Sequence, residues 1–439
     1  MGYSMRKNEI DIITLGCSKN LVDAERLMRQ LELAGYHCVH DSADPKGEIA
    51  VINTCGFIGD AKEESIEMIL QFAERKNRKK LRKLYVMGCL SQRYAKELPA
   101  EIPEVDGWFG KFDYLGIVNE VKGDRLEVKG EDYERALTTP SHYAYLKIAE
   151  GCNRYCSYCA IPLITGKFTS RKQEEILAEV RWLVSQGVKE VNVIAQDLSS
   201  YGLDLYGEHR LAQLIDEMAQ IDGLEWIRLH YAYPTDFPYD ILPVMAKHAN
   251  VCKYMDIALQ HCSTEVLKKM RRHITYEEQN ALIERIRKEV PGICIRTTLL
   301  VGHPGETEEA FEELCEWVKQ MRFDRLGAFA YSEEEGTFAA RHYKDDIPQE
   351  EKDRRVDVIM GIQQQISSEL LSQMVGTKQR VVIDREETDY YIGRTQYDSP
   401  EVDCEVLIAK TDKSEHLKIG EYYNVTIIKS EDFDLYAQL

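Results

Sequence analysis

The chain has no run of about 18 uninterrupted apolar residues, the least a membrane-spanning helix needs, so the sequence predicts a protein without a membrane anchor. Its opening, MGYSMRKNEIDIITLGC, passes straight from a charged segment into a strand pattern. The long apolar core and small-residue cleavage site of a secretory signal are missing. A soluble, cytoplasmic protein is the expectation. Basic charge is also in deficit: 56 Lys and Arg face 75 Asp and Glu, a net charge of −19. That balance works against non-specific binding to phosphate backbones, which depends on clustered cations. There is no internal repeat and no low-complexity tract. At 439 residues the chain is too long for one ordinary domain, so two or three are expected.

What is present in number is cysteine. Twelve thiols in a large, acidic chain with no signal segment do not suit a disulfide framework, because the cytosol keeps thiols reduced. Metal binding is the natural alternative where spacing supports it, and for six of the twelve it does.

Residues 6–125 alternate strand and helix signals. DIITLGC, EIAVINTC and KLYVMGC are short β-branched runs, followed by the helical patterns LVDAERLMRQLELAG, AKEESIEMILQFAERKNR and SQRYAKELPAEI. This predicts an α/β domain with a parallel sheet. Cys17, Cys55 and Cys89 each stand at the carboxyl end of one of these strands. Ligands of open α/β sheets gather at that edge, so three cysteines distant in sequence could converge there. Residues 126–141 (LEVKGEDYERALTTPS) read as a linker or connecting hairpin. A second domain over 138–370 has six strand candidates: YAYLKIAE, EVNVIAQD, WIRLHY, YMDIALQ, CIRTTLLVG and RLGAFAYS. Six β/α units predict a partial (β/α)6 barrel with its functional groups at the strand C-termini, followed by a long amphipathic segment, EEKDRRVDVIMGIQQQISSELLSQMVG. Residues 373–439 change character. KQRVVIDREE, YYIGRTQY, VDCEVLIAK and YYNVTIIKS predict a small antiparallel β-barrel.

GCNRYCSYCAIP follows the first barrel strand and holds Cys152, Cys156 and Cys159 as C-x3-C-x2-C. Three thiolates so close can share one metal centre, zinc or iron–sulfur, because soft sulfur ligands suit both. A closed zinc site usually takes four ligands, and no fourth Cys or His lies at a comparable spacing, although a distant one would complete it. The spacing, with Tyr158 before the last cysteine, resembles the radical-SAM superfamily. The resemblance implies a [4Fe–4S] cluster whose open iron binds S-adenosylmethionine (SAM). A low-potential electron, from a donor such as flavodoxin or ferredoxin, then cleaves SAM to a 5′-deoxyadenosyl radical. The positions that look SAM-holding are Tyr158, Gln196 and Asp197 after the second strand, Gln260 after the fourth and Arg296 in the fifth. Gly302 and Gly305, in the turn VGHPGETEEAFEEL, would allow close approach to a ligand. Arg296 has an alternative reading as the partner of a barrel carboxylate, and Gly302 as a shaper of the turn.

LGCSKNLVDAE, INTCGFIGDAKEES and MGCLSQRY resemble the N-terminal domain of the methylthiotransferase family of that superfamily, and the likeness extends over essentially the whole chain, ending in a TRAM module. It implies that Cys17, Cys55 and Cys89 hold a second, auxiliary [4Fe–4S] cluster. It also implies that SAM is both methyl donor and radical source, and that sulfur is inserted into a C–H bond and methylated. Ala24, Thr165 and His303 depart from the usual Ser, Arg and aromatic residue, and none is a cluster ligand. Cys38, Cys252, Cys262, Cys294, Cys315 and Cys404 read as structural, with Cys262 the one possible exception because of Gln260 nearby. His261 reads as a packing residue.

The family divides between a branch that modifies a tRNA adenosine and one that modifies an aspartate of ribosomal protein S12. Residues 374–439 carry eight basic and fourteen acidic residues. An RNA-gripping module should be basic, whereas this one suits a Lys/Arg-rich protein partner. Together with GAFAYSEEEGT and GRTQYDSPEVD, this favours the S12 branch, with the tRNA branch as the alternative. The acidic SEEEG stretch (332–336) either faces that substrate or is a solvated loop.

Overall fold

The computed structural model describes residues 5–122, 133–411, 414 and 416–439. It divides into two compact units: Met1–Thr138 with Glu150–Asn153 and Cys159–Phe168, and Thr139–Ala149 with Arg154–Tyr158 and Thr169–Leu439. Much of the expected linker at 126–141 lies outside the described residues. No helix among the described residues is long and apolar enough to cross a membrane.

The first unit is a parallel sheet whose strands, numbered in chain order, lie 2-1-3-4-5. The three strands read from sequence are Arg6–Thr14, Gly47–Thr54 and Lys83–Gly88. Their side chains alternate between two apolar faces. Ile10, Ile12, Val51 and Met87 pack with Ala24, Leu27 and Leu31 of the helix Ser18–Leu33. Ile13, Ile52 and Val86 pack with Ile69 and Phe72 of the helix Gly59–Asn77. A sheet buried on both faces is what produces such unbroken apolar strands. Two strands escaped the sequence reading, His37–His40 and Gly107–Trp108. Both are short outer strands with little apolar pattern. The expected third helix is also broken, into Cys89–Arg93 and Leu98–Glu101. Pro99 fits the break: it stands in the first turn of the second helix, where a missing N–H is tolerated, and in one continuous helix it could not donate to Ala95.

The second unit opens with six parallel strands lying in chain order. They are Tyr143–Lys147, Glu190–Ile194, Trp226–Ala232, Val251–Ile257, Cys294–Val301 and Arg325–Ala330, as the apolar runs predicted. The amphipathic segment is the helix Gln349–Ser372. A closed barrel of five strands follows. Four were read from sequence; the fifth, Leu435–Gln438, pairs in parallel with Val406–Ala409, so the barrel is not wholly antiparallel.

Residues 394–403 of that small barrel seal the end of the six-stranded sheet where the strands begin. Tyr143 donates to Glu401 (2.9 Å), Tyr254 to Asp403 (2.7 Å) and Arg228 to the carbonyl of Gln396 (2.6 Å). Arg325 pairs with Asp398, and Arg394 with Glu190. This end of the sheet is thereby occupied by protein.

Candidate functional site

In the first unit, register brings the three cysteines together. Thr14 lies beside Asn53, Asn53 beside Met87 and Thr54 beside Gly88, so the strands stop level. In the 2-1-3-4-5 order the chain reverses direction of growth between the first and third strands, and ligands of open sheets bind in the crevice there. Cys17 and Cys55 flank that crevice and Cys89 follows the next strand over. Cys17 is the exposed N-cap of the helix Ser18–Leu33, while Cys55 and Cys89 are buried.

Two glycines let the strand ends crowd together. Gly16 has φ +93°, and a Cβ on it would stand 2.9 Å from the sulfur of Cys55. Gly88 has φ +102°, and a Cβ there would stand 2.5 Å from the carbonyl oxygen of Thr54. Both are conformations that side chains disfavour. Asn20, fully buried, ties the same ends: its amide donates to the carbonyls of Leu15 (2.9 Å) and Thr54 (3.1 Å). The Cys89 thiol donates to the Asn20 side-chain oxygen (3.5 Å), and Asn53 donates to the Asn20 carbonyl (2.7 Å).

The thiols feel one another. Burial pushes Cys89 up to about 12, with Lys111 opposing and Cys17, Cys55 and Asp23 reinforcing the rise. Cys55 is raised by burial and further by Cys17, against the N–H groups of Phe57 and Gly56. At Cys17 surrounding protein raises the pKa, but Lys19, the N–H groups at the helix start and Lys111 more than offset it and hold the thiol below its ordinary value. Among the described residues no three Cys, His, Asp or Glu crowd close enough to hold a single metal ion. A cubane makes a different demand, since its thiolates attach to separate irons. Three mutually interacting thiols at one sheet edge suit that donor set.

Of the second trio, Cys152 and Cys159 fall in the first unit and Cys156 in the second. The Cys152 N–H donates to Gly166 (3.3 Å). Around Cys156 the second unit places a stack that sequence reading missed. The ring of Tyr233 lies between two guanidinium groups, Arg154 at 4.4 Å and Arg272 at 4.1 Å from its centroid. The Tyr233 hydroxyl and Arg272 Nη1 each stand 3.6 Å from the Cys156 sulfur, and Arg272 Nη1 also lies 3.5 Å from the Tyr158 hydroxyl. The one available signal was the aromatic and basic residues within NRYCSYC and MRRH.

The expected SAM positions differ in their surroundings. Asp197 is buried and engaged, accepting from Arg154 Nε (2.7 Å), Ser200 Oγ (2.6 Å) and the Ser199 N–H (2.9 Å). Gln196 sits beside it after the second strand. Gln260 has φ +72° and bridges to the fifth strand through Thr298 and Leu300. Arg296 is engaged by Asp256 (3.2 Å) and Asp403 (3.4 Å), the second on the segment sealing the strand starts; this is the carboxylate pairing of its alternative reading. Gly302 and Gly305 have φ of +76° and +87°, and the close approach at each is made by this chain's own Lys352 and Lys269. His303 fills an aromatic role after all. It is buried edge-on to Tyr158, Tyr331 and Tyr343 and bonded to Ser157 Oγ (3.0 Å), and burial lowers it to about 4, so the ring is neutral. Cys262 and His261 are wholly buried. In the acidic stretch Glu334 is buried while Glu333 and Glu335 are exposed, so it is not a simple solvated loop.

Three family models match the chain: an uncharacterized protein family, UPF0004, over residues 9–110, the radical SAM superfamily over 146–318 and the TRAM domain over 375–439. The fold is similar to the radical SAM methyltransferase TsrM from Kitasatospora setae (TM-score 0.55, 15% identity, 74% of this chain and 72% of that one). It is also similar to the cobalamin-dependent SAM radical enzyme OxsB (TM-score 0.53, 12% identity, 80% of this chain and 56% of that one). Sequence similarity reaches further. The chain is 62% identical over 437 residues to the ribosomal protein uS12 methylthiotransferase RimO of Phocaeicola vulgatus, covering 99% of this chain and 100% of that one. It is 55% identical over 435 residues to the protein of the same name from Porphyromonas gingivalis, again covering 99% and 100%. Full-length identity at this level, in a chain with three cysteines at one sheet edge and three more in the spacing C-x3-C-x2-C, shows that the chain belongs to the ribosomal protein uS12 methylthiotransferase (RimO) family of radical-SAM enzymes.

Proposed function

We propose that the protein methylthiolates the β-carbon of an aspartate of ribosomal protein uS12, giving 3-methylthioaspartate. On this reading Cys17, Cys55 and Cys89 hold one [4Fe–4S] cluster and Cys152, Cys156 and Cys159 another. Bound there, the clusters and SAM would supply the radical, the sulfur and the methyl group, chemistry that no side chain provides. The observation that carries the reading is the placing of Cys17, Cys55 and Cys89 at one edge of the first sheet, in a chain matching its RimO relatives from end to end.

The chain's own residues bind, orient and exclude water. Asn20 and the glycines hold the auxiliary thiols at one edge. Tyr233 and Arg272 offer N–H and O–H donors to the Cys156 sulfur, a contact that tunes iron–sulfur potentials. Asp197 fixes Arg154 within the cysteine segment. We assign SAM to the end of the six-stranded sheet where the strands finish, with Tyr158, Gln196, Asp197, Gln260, Gly302 and Gly305 at hand; Arg296, held among carboxylates, is left out. The acid-rich C-terminal module favours a basic protein over RNA as substrate. A low-potential donor of the flavodoxin or ferredoxin kind would supply electrons. The test is the intact mass of uS12 from a strain lacking this gene. It should fall by one methylthio group, and an unchanged mass, or loss of methylthio-adenosine from tRNA instead, overturns the reading.

A further inference from the structure

Lys111 is a lysine buried where lysines are rarely found. Its side chain is 2% exposed, and Nζ lies 3.3 Å from Glu150 Oε2 and 3.8 Å from Asp23 Oδ2, itself 1% exposed. Burying an ammonium is costly unless it is paired. Here the pairing is built from three directions, all within the first unit. Asp23 lies on the helix that Cys17 caps, and is itself held by the Tyr114 hydroxyl (2.6 Å). Gln92, on the short helix that Cys89 begins, accepts from the Lys111 backbone N–H (3.3 Å), and Ser91 of that helix donates to the Phe109 carbonyl (2.7 Å). Glu150 stands two residues before Cys152. The lysine is thus placed by the same elements that place the cysteines.

Charge gives this placement a purpose. Two carboxylates stand beside the one ammonium, and its charge acts on both Cys17 and Cys89. Burial alone would discharge a lysine, yet Asp23 and Glu150, then Cys89 and Cys17, raise its pKa beyond what burial takes away, so it stays cationic. A cluster on three thiolates is anionic, and net charge close by is one of the terms that set its potential.

We propose that Lys111 is a positioning residue of the auxiliary-cluster pocket, its ammonium being the fixed positive charge that balances the group held by Cys17, Cys55 and Cys89. This rests on the reading that those cysteines hold a cluster. Removing the cation disfavours the reduced, more negative state, and removing the neighbouring Asp23 carboxylate favours it.

The test uses the full chain with Cys152, Cys156 and Cys159 replaced by Ala, so that only the auxiliary cluster titrates in an EPR-monitored redox titration. Lys111→Met should move the midpoint to more negative potential, Lys111→Arg should restore it, and Asp23→Asn should move it the opposite way. A packing role would not give opposite signs. Loss of iron in Lys111→Met but not in Lys111→Arg also supports the assignment. An unmoved midpoint in Lys111→Met, a shift of the same sign in Asp23→Asn, or equal iron loss in both Lys111 variants overturns it. If the parent with Lys111 intact binds no iron, the cluster reading itself fails, and this proposal with it.

Discussion

Asp398 offers the sharpest test of how the strand-start end of the six-stranded sheet is sealed. It is fully buried, and its carboxylate accepts from Arg325 Nε (3.0 Å) and Thr395 Oγ1 (2.6 Å). Arg325 begins the sixth strand and is 11% exposed in its side chain. Asp398→Ala leaves that guanidinium buried without its carboxylate, so it keeps its desolvation penalty and loses the compensating attraction. Breaking a buried pair from one side costs about 3–5 kcal/mol. Removing both charges together, as Arg325→Met with Asp398→Leu, should recover much of that loss, because the unpaired charge is what is expensive. An exposed pair in the same unit serves as the control: Arg380 and Glu225 are each 43% exposed, and Glu225→Ala should cost about 0–1 kcal/mol. Urea unfolding followed by tryptophan fluorescence suits the measurement, since Trp226 packs edge-on against Tyr422 of the small barrel with centroids 4.8 Å apart. At a urea slope of about 3 kcal/mol per molar, the upper end of the usual range and suited to a unit of this size, Asp398→Ala should lower the midpoint by on the order of 1–2 M. A shift no larger than that of Glu225→Ala would refute the account of the sealed end.

Replacing Cys152, Cys156 and Cys159 by Ala should halve the about eight irons expected of two cubanes and abolish deoxyadenosine formation. Replacing Cys17, Cys55 and Cys89 should spare deoxyadenosine but block sulfur insertion, and retained methylthiolation in that variant refutes the two-cluster scheme. Asn20→Ala leaves the carbonyls of Leu15 and Thr54 without their buried donor, so it should cost about 1–3 kcal/mol and lower auxiliary iron; wild-type iron content would show that Asn20 does not hold the strand ends. Burial lifts Glu306 from 4.5 to about 7, although Arg355 and the Gly302 N–H oppose it. An acid that binds its proton more tightly when folded contributes most below its unfolded pKa, and that contribution is lost as pH rises towards about 7. Glu306→Gln should remove this decline in a pH series of unfolding midpoints, and an unchanged slope in the variant contradicts it.

Much of the architecture could be read from the sequence because its elements are periodic and buried. The three long strands of the first unit and the six of the barrel have apolar runs that only a strand covered on both faces requires. The outer strands His37–His40 and Gly107–Trp108 carried no such pattern, and Leu435–Gln438 is too short to show one. The cysteine positions were legible for a similar reason: thiols at strand ends and in C-x3-C-x2-C are local features.

What the sequence could not supply was which distant groups meet. Register alone determines that Thr14, Asn53 and Gly88 end level, and with them that Cys17, Cys55 and Cys89 share an edge. Arg296 illustrates the limit: its place in the fifth strand left a ligand contact and a carboxylate pairing both open, and only packing brings Asp256 and Asp403 to it. Asn20, Tyr233, Arg272 and Lys111 have roles that no motif announces; each matters through partners brought in from other elements, as Cys156 is met by Tyr233 across 77 residues and by Arg272 across 116. The sequence by itself determined the cysteines, the domain types and the family resemblance, because these are written in local spacing and periodicity. Only the tertiary structure decided which charges surround the thiols and which end of the six-stranded sheet is closed, because burial and pairing exist only once remote segments are packed together.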